Sequence, residues 1–305
     1  NQDVSERLMD SSDIEKERGI TITSKNGSCV HNGTTFNIID TPGHADFGGE
    51  VERVLKMSDG AIFLVDAAEG PMPQSYFVLK KAIAQNLPVI VVVNKIDKDS
   101  ARCDWVVDQV FDLLVALEAP DDTLDFPVIY ASARDGIAKH NLEDDNTDVI
   151  PLFEAIVKKI PPPNYDESAA PQMLVSSISY SPFMGRLAIG KITGGSFKVN
   201  QDAKVMRDKK PLETGRITKV FHFKANEQVE VPEAGCGDIV AIAGLQDVTI
   251  GDTITDPVNP VCIDGVKIDP PTMSVTFLPN DSPFAGREGE FVTGNQIKDR
   301  LIRET

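Results

Sequence analysis

The chain has 305 residues, 41% of them hydrophobic, enough apolar material for two cores and too much for a disordered or disulfide-stapled class. Lys and Arg number 30 against 47 Asp and Glu. The resulting formal charge of −17 argues against broad electrostatic attraction to nucleic acid, so any RNA contact has to be local. The four cysteines, Cys29, Cys103, Cys236 and Cys262, stand far apart with no CxxC pair, the pattern of buried structural thiols in a reducing compartment. Pro88 to Val93, the longest apolar run, is too short for a bilayer, and Asn1 to Ser5 lack the apolar stretch of a signal peptide.

Met9 to Arg18 is charged and helix-prone, and it breaks at Gly19, where Gly19-Ile20-Thr21-Ile22-Thr23 favours extended chain. In such a mobile loop the Thr21 hydroxyl can complete a magnesium shell when a γ-phosphate is present and be released afterwards. Cys29 to His31 and Thr34 to Ile39 are expected to form a hairpin around Asn32-Gly33. The second strand runs into Asp40-Thr41-Pro42-Gly43-His44. Nucleotide hydrolysis needs a carboxylate near magnesium, a backbone N–H facing the terminal phosphate and a polar group to orient water; Asp40, Gly43 and His44 supply these in order. Phe47, Val51, Val54 and Leu55 share a helical face, and Ala61 to Val65, ending at Asp66, reads as a strand covered on both faces. After the turn Gly70-Pro71-Met72-Pro73, a helix carrying Tyr76, Leu79 and Ile83 precedes a second buried strand, Val89 to Val93.

That strand delivers Asn94-Lys95-Ile96-Asp97 to its C-terminal end, where open α/β sheets place ligands. The Asp97 carboxylate can accept from the N1–H and exocyclic amine of guanine, a donor pair that adenine lacks. Asn94 would tie neighbouring loops together, and the Lys95 stem could cover the base. Val106, Val110, Leu113, Leu114 and Leu117 form a core helix stripe with Asp104 as its expected N-cap. Val128 to Ala131 is expected as the last strand, followed by Ser132-Ala133, small enough for the Ala133 amide to approach the guanine carbonyl. His140 reads as solvated in an acidic loop, and a helix from Pro151 to Ile160 ends at three prolines. No G-x-x-x-x-G-K-[ST] phosphate loop precedes Thr21, where this topology requires it. Gly185 to Lys191 has the spacing, but Ile192 replaces the hydroxyl residue and the pattern alternates as a strand.

From Gln172 the periodicity is two, predicting a β-barrel with strands at Met173 to Ser179, Leu187 to Ile192, Ala203 to Met206, Arg216 to Phe223 and Ile239 to Ile242. His222 reads as a strand residue with polar surroundings. Pro270-Pro271 opens a third piece, with a strand at Met273 to Leu278 and a helix from about Gln296 to Glu304. The divisions expected are 1–163, 164–268 and 269–305.

The ordered set GITIT, DTPGH, NKID and SA resembles the translational GTPases. Within that group LMDSSDIEKERGITI, DTPGHADFGGEVERVLKMSDG, EGPMPQS, DWVVDQVFDLLVALEA, LDFPVIYASA and SPFAGREGEFVT are similar to the ribosome-associated TypA/BipA family over nearly the whole chain. The resemblance implies an α/β fold: a P-loop GTPase-type, mostly parallel sheet truncated at its start, a translation-factor β-barrel, and the start of a ferredoxin-like α+β domain. It implies GTP/GDP and Mg2+ as cofactors, with Thr21 and Asp40 serving magnesium, Gly43 the γ-phosphate and His44 the attacking water. Asn94, Lys95, Asp97, Ser132 and Ala133 would hold guanine. As partner it implies the ribosome, through rRNA and small-subunit proteins, for a monomer that binds neither DNA nor membrane. The compartment expected is the cytoplasm, or an organelle if a transit segment is lost. The chain departs from the family at Asp99-Ser100 and Cys103, where prolines are usual. A rival reading is a non-catalytic ribosome-binding or stress-response module.

Overall fold

The computed structural model describes residues 13–18, 20–44, 47–163, 165–225, 227–265, 274–287, 289 and 291–304. Helix α1 (Asp13–Arg18) leads through extended chain to an antiparallel hairpin of β1 (Lys25–His31) and β2 (Thr34–Asp40). Asn32 and Gly33 have φ of 47° and 77°, the two left-handed residues that a tight hairpin turn of this kind needs. The Met9–Ser12 part of the expected first helix, and Gly19, lie outside the described residues.

Next come α2 (Gly48–Met57), β3 (Ala61–Asp66), α3 (Pro73–Ala84), β4 (Val89–Asn94), α4 (Cys103–Ala116), α5 (Asp121–Leu124), β5 (Val128–Ser132), β6 (Ile137–Lys139) and α6 (Ile150–Lys159). Strands β3, β4 and β5 are parallel neighbours, and β6 is added antiparallel to β5, so the sheet is mostly parallel as expected. Every residue from Val89 to Val93 is buried: the odd positions face α3 and α4, while Ile90 and Val92 face α6. Each such side chain contributes roughly 1.5–3 kcal/mol of burial, which makes β4 the rigid spine of this unit.

Several expectations need correction. Strand β3 is not covered on both faces: Ile62 is 45% and Leu64 60% exposed, because only its Phe63/Val65 face meets α3 and α4, while α6 on the other face packs on β4, β5 and β6. Val128–Ala131 is not the last strand, since Ile137 to Lys139 turn back onto it; three residues carry too little periodicity to be seen in sequence. Arg102, not Asp104, stands at the α4 N-cap, and Asp104 lies in the first turn. Of the four cysteines only Cys103 is buried; the others are half-buried, and all are free thiols.

The barrel comprises β7 (Gln172–Ser181), β8 (Gly185–Gly194), β9 (Ser196–Lys198), β10 (Asp202–Arg207), β11 (Lys210–Arg216), β12 (Lys219–Lys224), β13 (Glu227–Val231), β14 (Glu233–Gly235), β15 (Ile239–Ala243) and β16 (Thr253–Thr255). Its eight-stranded antiparallel sheet runs β11-β10-β16-β7-β8-β15-β12-β13, with β9 and β14 paired separately, around a core that includes Met173, Phe197, Val205, Ile217 and Ile242. The phosphate-loop lookalike at Gly185–Lys191 lies within β8, as expected. The expected strand Arg216–Phe223 is two strands. Ile217 leaves the ladder to exchange hydrogen bonds with Asn200 and Gln201, and Gly244, at φ 110°, lies so close that a Cβ would come within 2.2 Å of the Arg216 carbonyl oxygen. The residues 274–278 form no strand: they find no ladder partner among the described residues, and Val275, Phe277 and Leu278 are exposed. Pro270, Pro271 and Met273 lie outside the described residues. Helix α7 (Gly294–Glu304) starts two residues earlier than expected, behind a capping box in which Thr293 and Gln296 bond each other's backbone amides.

His222 on β12 places Nε2 3.3 Å from Asp238 Oδ2, a polar neighbour of the kind expected. The Asp238 carboxylate beside it raises the imidazole above its ordinary 6.5. Burial pushes Asp238 up, but the neighbouring His222 imidazole and the bond from the Gly235 amide outweigh it and hold the acid below 3.8. The His222 contribution is therefore complete below pH 6.5 and is lost as pH rises through the raised value, while that of Asp238 is complete above pH 3.8 and fades as pH falls through the lowered one. The melting temperature should fall as pH goes from about 6 to about 8, and His222→Gln should flatten that slope in thermal unfolding.

Candidate functional site

The parallel register sets Asp66 opposite Asn94 and Asn94 opposite Ala131, so three strand ends lie side by side at the C-terminal edge of the sheet. From this edge the 94–97 loop and the 132–133 loop interlock. Ala133 N donates to Asn94 Oδ1 at 3.0 Å, which ties the two loops together as the sequence suggested for Asn94. The same bond engages the amide that the sequence assigns to the guanine carbonyl, so a base would share that N–H with the Asn94 oxygen. Ser132, fully buried, places Oγ 3.0 Å from Asp97 Oδ1 and 2.6 Å from Asp135 Oδ2. A hydroxyl has one hydrogen, so Ser132 serves one of these acids at a time, leaving Asp97 oriented yet able to accept from a ligand. Asp97 Oδ2 lies 3.9 Å from Nη1 of the exposed Arg134.

Lys95 has φ 68°, a left-handed conformation uncommon for a side chain-bearing residue, and is held there by the Ile96 N to Ala131 O bond that follows. Its ammonium lies 2.9 Å from Asp66 Oδ2. Sequence reading treated Asp66 only as a strand end and missed this pairing. The signal was there in its position at the carboxyl end of the apolar run Ala61 to Val65, beside the strand that ends at Asn94.

Thr21 and Asp40 belong to a second unit, the hairpin of β1 and β2 and the segment that leads into it. Lys25 pairs with Asp40 across the hairpin, so Thr21, four residues before Lys25, lies toward the end at which Asp40 emerges. The segment after Thr21 is gripped by Glu15, a fully buried carboxylate whose Oε1 accepts from Ile22 N (3.0 Å) and Thr23 N (3.2 Å) and whose Oε2 lies 3.0 Å from Lys25 Nζ. Ser24 Oγ donates to Glu50 Oε1 at 2.6 Å, which links the Thr21 segment to α2, the helix that follows His44. Gly43 is exposed, with Gln74 its nearest neighbour, 3.8 Å from a built Cβ, so the loop leaves room for a phosphate to reach the backbone. His44 stands edge-on to Phe47 with ring centroids 6.2 Å apart.

The motifs lead one to expect the loops of Thr21, Gly43, Asp97 and Ala133 to converge on a single edge of one sheet, but they do not spring from one sheet: β1 and β2 form a ladder of their own, and the hairpin leans on α6 and the barrel. His31 and Phe36 pack on Phe153, and Ser28 Oγ donates to Phe223 O at 2.5 Å. The guanine-side residues are therefore brought together by direct hydrogen bonds, whereas the hairpin and the segment before it are joined to that unit through α2 and α6.

The donor set suits the groups that the sequence suggests. An oriented carboxylate beside a small-residue loop matches the hydrogen-bonding edge of guanine. Magnesium keeps several waters and is held by one or two protein oxygens plus phosphates, so a threonine hydroxyl and one carboxylate are a sufficient protein share. Among the described residues there is no group of three or more His, Cys, Asp or Glu placed to hold a metal by themselves.

Residues 1–162 match the elongation factor Tu GTP-binding domain. The chain belongs to that family. Residues 185–255 match elongation factor Tu domain 2, in agreement with the barrel. Within the translational GTPases the chain is of TypA/BipA type. It is 50% identical over 303 residues to the large ribosomal subunit assembly factor BipA of Synechocystis, covering 99% of this chain and 51% of that protein. The proteins of the same name from Salmonella typhimurium and Haemophilus influenzae are 49% and 50% identical over 98% and 99% of this chain, which spans 49% of each. The chain thus spans about half the length of these curated relatives.

Proposed function

We propose that the whole protein to which this GTP-binding family chain belongs binds and hydrolyses GTP and acts on the ribosome in assembly of the large subunit, the role carried in the names of its relatives. Support for guanine as the base comes from the Asn94–Ala133 and Ser132–Asp97 bonds, which pre-form a carboxylate-bearing notch at the sheet edge. On this reading Asp97 reads the base, with Asn94, Lys95, Ser132 and Ala133 around it. Thr21 and Asp40 hold the magnesium ion, whose chemistry is to neutralise phosphate charge. Gly43 offers its amide to the γ-phosphate and His44 orients the attacking water, so the chain's contribution is positioning and electrostatics. A phosphate-binding loop and later domains, a ferredoxin-like one among them, are proposed to come from the rest of the protein.

Strong overall acidity confines rRNA contact to local patches and makes shape and protein contacts, including those to the small subunit, the basis of docking by a cytoplasmic or organellar monomer. No helix among the described residues is long and apolar enough to cross a membrane. The test is GTP turnover by the full-length protein with and without ribosomes. Turnover accelerated by ribosomes supports the reading; turnover that ribosomes leave unchanged refutes its ribosomal part, and no turnover at all refutes the whole and favours a non-catalytic module.

A further inference from the structure

Asp66 ends β3 beside the guanine-side loops and has none of the roles assigned above. Its two oxygens have separate partners. Oδ1 accepts from the Ala68 amide at 2.8 Å and the Glu69 amide at 3.2 Å, capping a turn that closes with Gly70 N on Asp66 O at 2.9 Å. Oδ2 faces the next loop and takes two ammonium groups, Lys95 Nζ at 2.9 Å and Lys98 Nζ at 3.0 Å. The carboxylate side chain is only 13% exposed, whereas that of Lys95 is 53% exposed. The lysine is therefore anchored at its tip with its aliphatic stem open to solvent.

The turn that carries Asp66 is itself fixed. Ala67 N donates to Asn94 O at 2.8 Å, Arg102 N to Ala67 O at 2.8 Å and Arg102 Nη2 to Ala68 O at 2.7 Å, while the Arg102 guanidinium stacks 3.8 Å above the Trp105 ring. Trp105 in turn closes against Gly70, where a Cβ would meet its ring at 3.0 Å. Burial alone would raise the Asp66 carboxyl. The hydrogen bonds from Lys95, from the Ala68 amide and from Lys98 more than reverse this and hold it well below the usual carboxylate range, so Asp66 is charged at any working pH. The bond to Asp66 likewise holds Lys95 above its ordinary value.

A capped turn needs only one acceptor oxygen, which an asparagine supplies equally well. The second oxygen and the charge are surplus to the turn and have one visible use. The geometry points to Asp66 as a positioning residue of the nucleotide site: it tethers the Lys95 ammonium so that the lysine stem is set in advance along the face of a bound purine. This rests on the reading of the 94–97 loop as the base site. Tethering lowers the rotamer entropy that a free lysine would lose when a base arrives, and it draws the like charge of Lys98 to the same anchor, away from the base.

The test is a double-mutant cycle on the full-length protein, with GDP as probe and Asp97→Asn as a control. Asp66→Asn keeps the Oδ1 acceptor for both amides and removes the charge. It should weaken GDP by about tenfold, the loss expected for one charge-assisted contact, with little change in melting temperature. In a Lys95→Met background the same change should have no further effect. Equal loss in both backgrounds, or no loss in the first, overturns the inference. If Asp97→Asn weakens GDP while Asp66→Asn does nothing, only the tether falls; if Asp97→Asn is also silent, the base-site reading itself has failed.

Discussion

Asp97→Asn in the full-length protein should lower GDP affinity by about a thousandfold and allow xanthosine diphosphate to bind, because a site built to hydrogen-bond a particular donor pair strongly rejects a partner that leaves its polar groups unpaired. The structure makes the direction specific. Ser132 already orients Asp97 from one side, so the carboxylate has a fixed acceptor edge for N1–H and the exocyclic amine. An asparagine in that place offers one acceptor and one donor, the match for xanthine, whose C2 carbonyl replaces the amine. Equilibrium titration with both nucleotides checks this, and unchanged GDP affinity would remove Asp97 from the site.

The second large effect is on stability. Lys191 on β8 is 6% exposed, and its ammonium lies 2.7 Å from Oδ1 of Asp59, in the short link between α2 and β3, and 5.1 Å from the centre of the Tyr165 ring. This contact joins the barrel to the helix that follows the His44 loop. Asp59→Ala leaves the buried ammonium without its counter-charge, and because the Asp59 side chain is itself 39% exposed the cost should fall at about 3 kcal/mol, the lower end for broken buried pairs. Adding Lys191→Met should recover most of that loss, since an apolar side chain of similar length needs no partner. Urea unfolding of the single and double variants measures both; a double variant as unstable as Asp59→Ala alone would show that the charge was not the cause.

The parts legible in the sequence are those with strong periodicity or rigid punctuation. Val89–Val93 read as a buried strand because it is apolar at every position, and Asn32-Gly33 read as a hairpin because few other pairs tolerate two positive φ angles. The short strands β6, β9, β14 and β16 were invisible, since three residues can neither alternate nor show a period. The exposed face of β3 is not legible because an apolar run reports composition, while coverage depends on which helices pack over the strand.

At the candidate site, backbone-linked features were legible: which loops end strands, and that the 94–97 and 132–133 loops lie together. Long-range side-chain pairings were not. Asp66 with Lys95, Glu15 with Ile22 and Thr23, and Lys191 with Asp59 join residues separated by 7 to 132 positions, and no local pattern marks them. The charge of −17 hid these pairs further, because most carboxylates in such a chain are solvated and nothing in composition singles out the few that are buried.

The most direct measure of the guanine site is competition for the full-length protein among GDP, inosine diphosphate and ADP. The account predicts GDP tightest, inosine diphosphate weaker because it keeps N1–H and lacks the amine, and ADP without measurable competition. ADP competing as well as GDP would contradict it.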